Sequence, residues 1–255
     1  MPEERQKMQK KGQNDLSRGV RRFFEVLTGN LFKLIGLNLF FMVCAAPAAA
    51  LFLLGLSGTL PVYAYALSVA AAYPVGGAVT AGMFCISKMI YGEPGFLWFD
   101  FRRKLAGNIR QAAAPGMVCT AFIFGQIFYW GAFAFERASI DITWLILGAL
   151  SLMLFALLSP LVFLQIAYID LKTLQIFRNS AMLAIANLPR CLMGAVAGNI
   201  IWIAFALYLP VSMLALPVVL PLGFSLSWLL CLMWVWPPFN RQFSVEETIN
   251  KRRRS

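Results

Sequence analysis

The chain has 255 residues, of which 60% are apolar and only 13% are charged, whereas about a quarter of the residues in a soluble domain are charged. This composition excludes an ordinary water-soluble domain and indicates an integral membrane protein. The formal charge of +11 would suit nucleic-acid binding in a soluble protein. Membrane topology and attraction to anionic lipid explain it here, so we expect the lipid bilayer and no nucleic acid as a partner.

Residues 1–19 are polar and basic, which predicts a disordered arm on the cytoplasmic surface. A six-helix membrane domain is predicted over residues 20–240, and residues 241–255 form a basic cytoplasmic tail. Four long runs lack Asp, Glu, Lys and Arg, and the first and last of them exceed the roughly 20 residues that one crossing needs. Each of these two runs must therefore turn back once within the bilayer.

Six transmembrane helices follow from these runs, so the predicted fold class is an all-α integral membrane protein. The predicted spans are 34–55, 64–88, 114–135, 143–168, 190–209 and 217–236. With this topology, 21 of the 22 Lys and Arg residues lie on one side of the membrane, and only Arg137 lies on the other. The positive-inside rule then places both termini in the cytoplasm.

An asparagine precedes three of the ascending spans, in each case after an aromatic and basic stretch. These residues are Asn30, Asn108 and Asn187, spaced 78 and 79 residues apart. Asn is a good N-cap, so each would start a span after a cytoplasmic interfacial helix. The hypothesis is three hairpin repeats, each preceded by such a helix, and the alternative is chance recurrence of asparagine.

Several stretches of the chain resemble the YesL-like family of bacterial membrane proteins, a domain of unknown function. They are LNLFFMVC at 37–44 with Pro47, FLWFDF at 96–101, NIRQA at 108–112, YIDLKTLQIFRNS at 168–180 and PPF at 237–239. The resemblance covers about residues 25–240 and implies a six-span protein of the bacterial cell membrane. It also implies an association with carbohydrate uptake, since relatives are often encoded beside such systems.

Side chains that could carry chemistry are scarce. The chain has no histidine, which removes the commonest general base and most zinc and haem sites. Its five cysteines are widely spaced in apolar surroundings and are interpreted as structural. We therefore expect no enzyme activity, no catalytic or metal site and no cofactor.

The cytoplasmic loops contain the candidate docking residues for a partner, which we expect to be a sugar transporter complex. They are Trp98, Asp100, Arg102, Arg103, Asp170, Lys172 and Arg178. The two aspartates are alternatively caps or ion-pair partners of Arg102, Arg103 or Lys172. The predicted function is a non-enzymatic accessory protein of carbohydrate uptake.

The alternative function is a small permease or channel for a neutral polar solute. Its pathway would be lined by the polar residues within the spans, namely Asn38, Gln126, Gln165 and Asn199. Hydrogen bonding between helices is the competing interpretation of these residues. A continuous polar cavity along them would distinguish the permease from the accessory protein.

Overall fold

The computed structural model describes residues 19, 21–61, 63–93, 95–135, 142–169, 171–207, 209–243 and 245. All regular structure in these ranges is α-helical, which confirms the predicted all-α class. We name the helical segment 21–29 α1. The helices that follow are α2 Leu31–Leu56, α3 Ala64–Ala71, α4 Tyr73–Tyr91, α5 Leu97–Phe135, α6 Ile142–Tyr168, α7 Thr173–Ala186, α8 Leu188–Leu207 and α9 Leu209–Phe243.

Five helical segments of the described chain are long and apolar enough to cross a membrane by themselves. They are Leu31–Leu56, Ala64–Tyr91, Leu97–Gly131, Ile142–Tyr168 and Pro221–Phe243. Most of the predicted span 190–209 lies on α8. Helix α8 is long and apolar enough to cross a membrane only when it is counted together with α7. The number of candidate transmembrane segments rises to six if this bent pair is counted as one. Burying the backbone hydrogen bonds inside each helix is what allows such segments to lie in lipid. The chain is an integral membrane protein with several transmembrane helices.

The joint between α7 and α8 is a sharp bend between two separate helices, as predicted for an interfacial helix that precedes a span. The two helices meet at Asn187 and their axes differ by 103°. A similar joint separates α1 from α2 at Asn30, which occupies the N-cap position of α2. Two of the three predicted interfacial helices therefore exist as separate helical segments.

The middle unit differs, because α5 runs without a break through Asn108. The prediction of a helix entry at Asn108 is wrong, and the three-fold repeat fails there. The Asn108 side-chain amide donates to the Lys104 carbonyl one turn earlier, at 3.0 Å, so it satisfies a helix-interior acceptor. With 39 residues, α5 is about 58 Å long and extends well beyond the roughly 30 Å hydrocarbon core.

The asparagines at the two real joints also act differently from the predicted caps. Neither Asn30 nor Asn187 accepts a first-turn N–H. The Asn30 amide donates to the Val26 carbonyl at 3.2 Å, and the Asn187 amide donates to the Leu183 carbonyl at 3.3 Å. Each side chain thus satisfies a carbonyl at the end of the preceding helix.

Helix α4 lies at the centre of the bundle and contacts α2, α5, α6 and α9. Its crossing with α5 is close because glycines face each other. A Cβ on Gly76 would lie 2.0 Å from the Ala112 carbonyl oxygen, and a Cβ on Gly116 would lie 2.4 Å from the Gly76 nitrogen. Side-chain-free surfaces of this kind let membrane helices approach through backbone contact.

Candidate functional site

The most charged interior of the molecule lies where α4 ends and α5 begins. The Lys88 ammonium is 2.8 Å from the Asp100 carboxylate and 4.0 Å from the Glu93 carboxylate. The Lys88 and Asp100 side chains are only 12% and 17% exposed, so each charge depends on the other for solvation. Gly95 makes the pair fit, because a Cβ there would lie 2.3 Å from an Asp100 carboxylate oxygen.

Helix α1 is fastened to the same end of α4. The Arg22 guanidinium donates two hydrogen bonds to the Ile90 carbonyl, at 2.7 and 2.9 Å. The last carbonyls of a helix lack intrahelical partners, and a cation there also complements the helix dipole. Gly92 then ends α4 with a φ of 73°, a left-handed conformation suited to glycine.

A chain of hydroxyl groups connects α4 to α6. The Tyr168 hydroxyl is 2.5 Å from the Ser87 hydroxyl and 3.2 Å from the Tyr91 hydroxyl. Trp236 of α9 stacks on Tyr91 with ring centroids 5.4 Å apart. The same end of the bundle thereby brings α4, α6 and α9 together.

Lys104 of α5 binds a backbone carbonyl in the last turn of α6. Its ammonium donates to the Ala167 carbonyl at 2.6 Å and lies 4.4 Å from the centroid of the Phe84 ring. A partly buried ammonium with a carbonyl and an aromatic face as partners is a structural arrangement. We name Lys88, Glu93, Asp100, Lys104 and Tyr168 the polar cluster.

The polar cluster can stabilise but shows no catalytic arrangement. Its cations contact a carboxylate or a carbonyl, and the space beside Lys88 and Asp100 holds about 20 Å³, the room of one water. In the described part of the chain, no three His, Cys, Asp or Glu side chains are grouped as metal ligands. We interpret the polar cluster as a set of contacts that hold the adjoining ends of α4, α5 and α6 together.

The predicted docking residues fall into two groups. Arg102, Arg103, Lys172 and Arg178 are exposed, and Trp98 is 56% exposed while its ring packs 4.9 Å from that of Phe40. Asp100 instead forms its ion pair with Lys88, so the prediction of Arg102, Arg103 or Lys172 as its partner is wrong. Asp170 lies outside the described residues.

An open cleft of about 600 Å³ separates α5 from the beginning of α7. Its charged lining residues are Arg110 and Lys172, and Gly107, Thr173 and Gln175 complete its walls. The Gln111 amide donates to the Leu171 carbonyl at 2.5 Å, which holds the segment before α7 against α5. We call this space the α5–α7 cleft.

The polar residues within the spans are engaged in helix packing. The Asn38 carbonyl accepts the N–H groups of Phe224 and Ser225, at 3.1 and 3.2 Å, and Asn38 is fully buried. Gln126 donates to Ser151 at 3.0 Å. These contacts join α2 to α9 and α5 to α6.

The remaining two polar residues show the same behaviour. Gln165 donates to Ser180 at 2.9 Å and thereby joins α6 to α7, and Asn199 donates to the Ala195 carbonyl of its own helix at 2.8 Å. None of the four lines either of the two spaces described above. Their contacts favour the packing interpretation over a polar pathway.

The sequence signal for the polar cluster was Lys88, which directly follows 54 residues without a charge. A lysine at the end of a span needs water or a counter-ion, and the nearest acidic residues along the chain are Glu93 and Asp100. The link from Lys104 to Ala167 spans 63 residues and had no comparable signal. Contacts at such distances depend on how the helices pack.

Comparison of the chain with family models, with curated proteins and with solved structures finds no match. The molecule is thus characterised by its own geometry as a multi-pass α-helical membrane protein.

Proposed function

We propose that this protein is a non-enzymatic accessory protein of the membrane that binds a partner through the exposed start of α5. The observation that carries the proposal is a surface of exposed aromatic and cationic side chains at this point. We call it the α5 ridge, and its members are Phe96, Trp98, Phe99, Arg102 and Arg103.

The chemistry of the α5 ridge is that of a protein-binding surface. Phe96 is 85% exposed and Phe99 is 62% exposed. Trp and Arg are the side chains most enriched among residues that dominate binding energy, and they act best when a partner excludes water from them. Because α5 is about 58 Å long, it exceeds the thickness of the hydrocarbon core, which supports a position of its charged first turns outside the core, where a partner can reach them.

The identity of the partner rests on the resemblance alone. The YesL-like stretches suggest a carbohydrate transporter of the bacterial cell membrane, and the distribution of Lys and Arg suggests that the ridge faces the cytoplasm. Engagement of Asn38, Gln126, Gln165 and Asn199 in packing supports a docking role over transport by this chain itself.

The experiment is affinity purification of the tagged full-length protein in mild detergent, followed by mass spectrometry. The ridge variant is Trp98→Ala with Arg103→Ala. The matched control is Trp144→Ala with Arg241→Ala, since Trp144 is 54% exposed at the other end of the α5–α6 hairpin and Arg241 is exposed on α9.

We expect transporter subunits to copurify with the wild type and the control and to be lost from the ridge variant. Truncating two central contact residues typically costs at least about 2 kcal/mol, which is roughly a thirtyfold weaker complex. Equal recovery with all three proteins would refute the ridge as the docking surface. A wild-type protein that purifies alone and transports sugar in reconstituted vesicles would refute the accessory function.

A further inference from the structure

We propose that the α5–α7 cleft is a binding site for the headgroup of an anionic phospholipid of the adjoining leaflet. The site is separate from the α5 ridge and does not depend on the proposed accessory function. It is defined by Arg110 of α5 and by Lys172 and Thr173 at the start of α7.

The cleft is lined by two cations that have no counter-ion among the described residues. Arg110 and Lys172 are both exposed, and neither side chain forms an ion pair or hydrogen bond with the described part of the chain. The cations of the polar cluster differ, since Lys88 is paired with Asp100. Two cations that line one cleft attract an anion, and guanidinium and ammonium groups are the usual ligands of phosphate.

The space between the cations is open and held in shape. A Cβ on Gly107 would have no atom within 4 Å, and the hydrogen bond from Gln111 to the Leu171 carbonyl fixes the opposite wall. Lys172 precedes the first residue of α7, and its side chain carries no acceptor for the first-turn N–H groups. These donors add favourable potential for a phosphate oxygen at the same wall.

The place of the cleft in the chain, just after the end of α6, suits a lipid headgroup. α6 ends at Tyr168, and the cleft begins at Leu171, three residues further along the chain. The 103° bend after α7 sets α7 across the direction of α8, and therefore close to the membrane plane if α8 crosses the bilayer. In that orientation the cleft would lie at the level of the phosphates of one leaflet.

Helix α7 favours a lipid over a soluble phosphate, because its exposed side carries large apolar side chains. Leu174 is 82% exposed and Ile185 is 76% exposed, and they lie on one side of the helix, three turns apart. Ile176 and Leu183 point into the protein core, whereas Arg178 lies on the same exposed side as Leu174, one turn further along the helix. Such an exposed side can lie against acyl chains while the long Arg178 side chain extends toward the headgroups.

The test uses the full-length protein in nanodiscs and in neutral detergent. The cleft variant is Arg110→Gln with Lys172→Gln, and the control is Arg190→Gln with Arg241→Gln, which removes the same charge from exposed positions outside both the cleft and the α5 ridge. Retained lipid is measured by native mass spectrometry after exchange into a defined mixture of phosphatidylglycerol and phosphatidylcholine. Each protein is first checked for a monodisperse elution profile and wild-type helicity.

We expect the wild type and the control to retain phosphatidylglycerol, and the cleft variant to bind it about thirtyfold more weakly, since each cation near the surface contributes about a factor of five. Equal loss in the control would overturn the site and show diffuse attraction only. Binding of inorganic phosphate without any preference for phosphatidylglycerol would overturn the assignment of the site to a lipid and would indicate a soluble anion as its ligand. If the double variant fails the folding check, Lys172→Gln alone should show about a fivefold loss, and unchanged retention there would equally overturn the proposal.

Discussion

Substituting Gly76 with alanine should loosen the central crossing of the bundle. The added Cβ would lie 2.0 Å from the Ala112 carbonyl oxygen and 2.9 Å from the Gly116 Cα. Ordinary van der Waals contact begins near 3.4 Å, and both opposing atoms belong to the backbone, so no side chain can rotate away. Helices α4 and α5 would have to separate by more than 1 Å, with loss of packing along the whole contact.

Overpacking of this kind costs about 1 to 3 kcal/mol, which for a chain of this size lowers Tm by about 2 to 12 °C. The assay is thermal unfolding in detergent followed by intrinsic fluorescence of the seven tryptophans. The matched control is Gly125→Ala on α5, the other helix of the crossing, where a Cβ has no atom within 4 Å. We expect the control to be neutral or slightly stabilising, because alanine is the better helix former.

Gly116→Ala provides an internal check, since its Cβ would lie 2.4 Å from the Gly76 nitrogen across the same crossing. One separation of the helices relieves both clashes, so the double variant should lose less stability than the two single variants added together. A Gly76→Ala protein with the Tm of the wild type would refute the close crossing. Strict additivity of the two substitutions would refute their placement at one contact.

Two further predictions use the same unfolding assay. Asp100→Asn leaves the mostly buried Lys88 ammonium with only the more distant Glu93 carboxylate, so we expect a loss of about 1 to 3 kcal/mol, and an unchanged Tm would contradict the ion pair. Asn38→Leu removes the acceptor of two backbone N–H groups of α9 and should cost about 1 to 3 kcal/mol, whereas Asn199→Leu, which breaks only a bond within α8, should cost less. Equal losses at both positions would argue against the link from α2 to α9.

Sequence reasoning could recognise the transmembrane helices because the bilayer imposes a simple length and composition on each. Charge-free runs therefore predicted the membrane class and the approximate span positions, and five helical segments, or six with the bent pair, agree with it. The joints at Asn30 and Asn187 were also predicted in position. Their side chains serve the preceding helix, because an amide can either donate or accept and only the local backbone decides which.

Asn108 shows where the local pattern fails. It resembles the other two asparagines in sequence, yet α5 continues through it, since a helix continues wherever its backbone bonds remain satisfied and its neighbours support it. The candidate docking residues were likewise chosen by type. In the folded protein Asp100 is mostly buried in an ion pair with Lys88, whereas Trp98, Arg102 and Arg103 are exposed on the surface.

The amino-acid sequence by itself determined that this protein lies in a lipid bilayer, that it is all-α and where its spans approximately begin and end. Those properties follow from composition and from the spacing of apolar residues within about 20 residues, which is the length of a single transmembrane helix. Only the tertiary structure decided the Gly76–Gly116 crossing, the link from Lys104 to Ala167 and the α5–α7 cleft. Each of these joins different helices, and in lipid such contacts depend on close packing and hydrogen bonding between helix surfaces, which hydrophobic pattern alone does not encode.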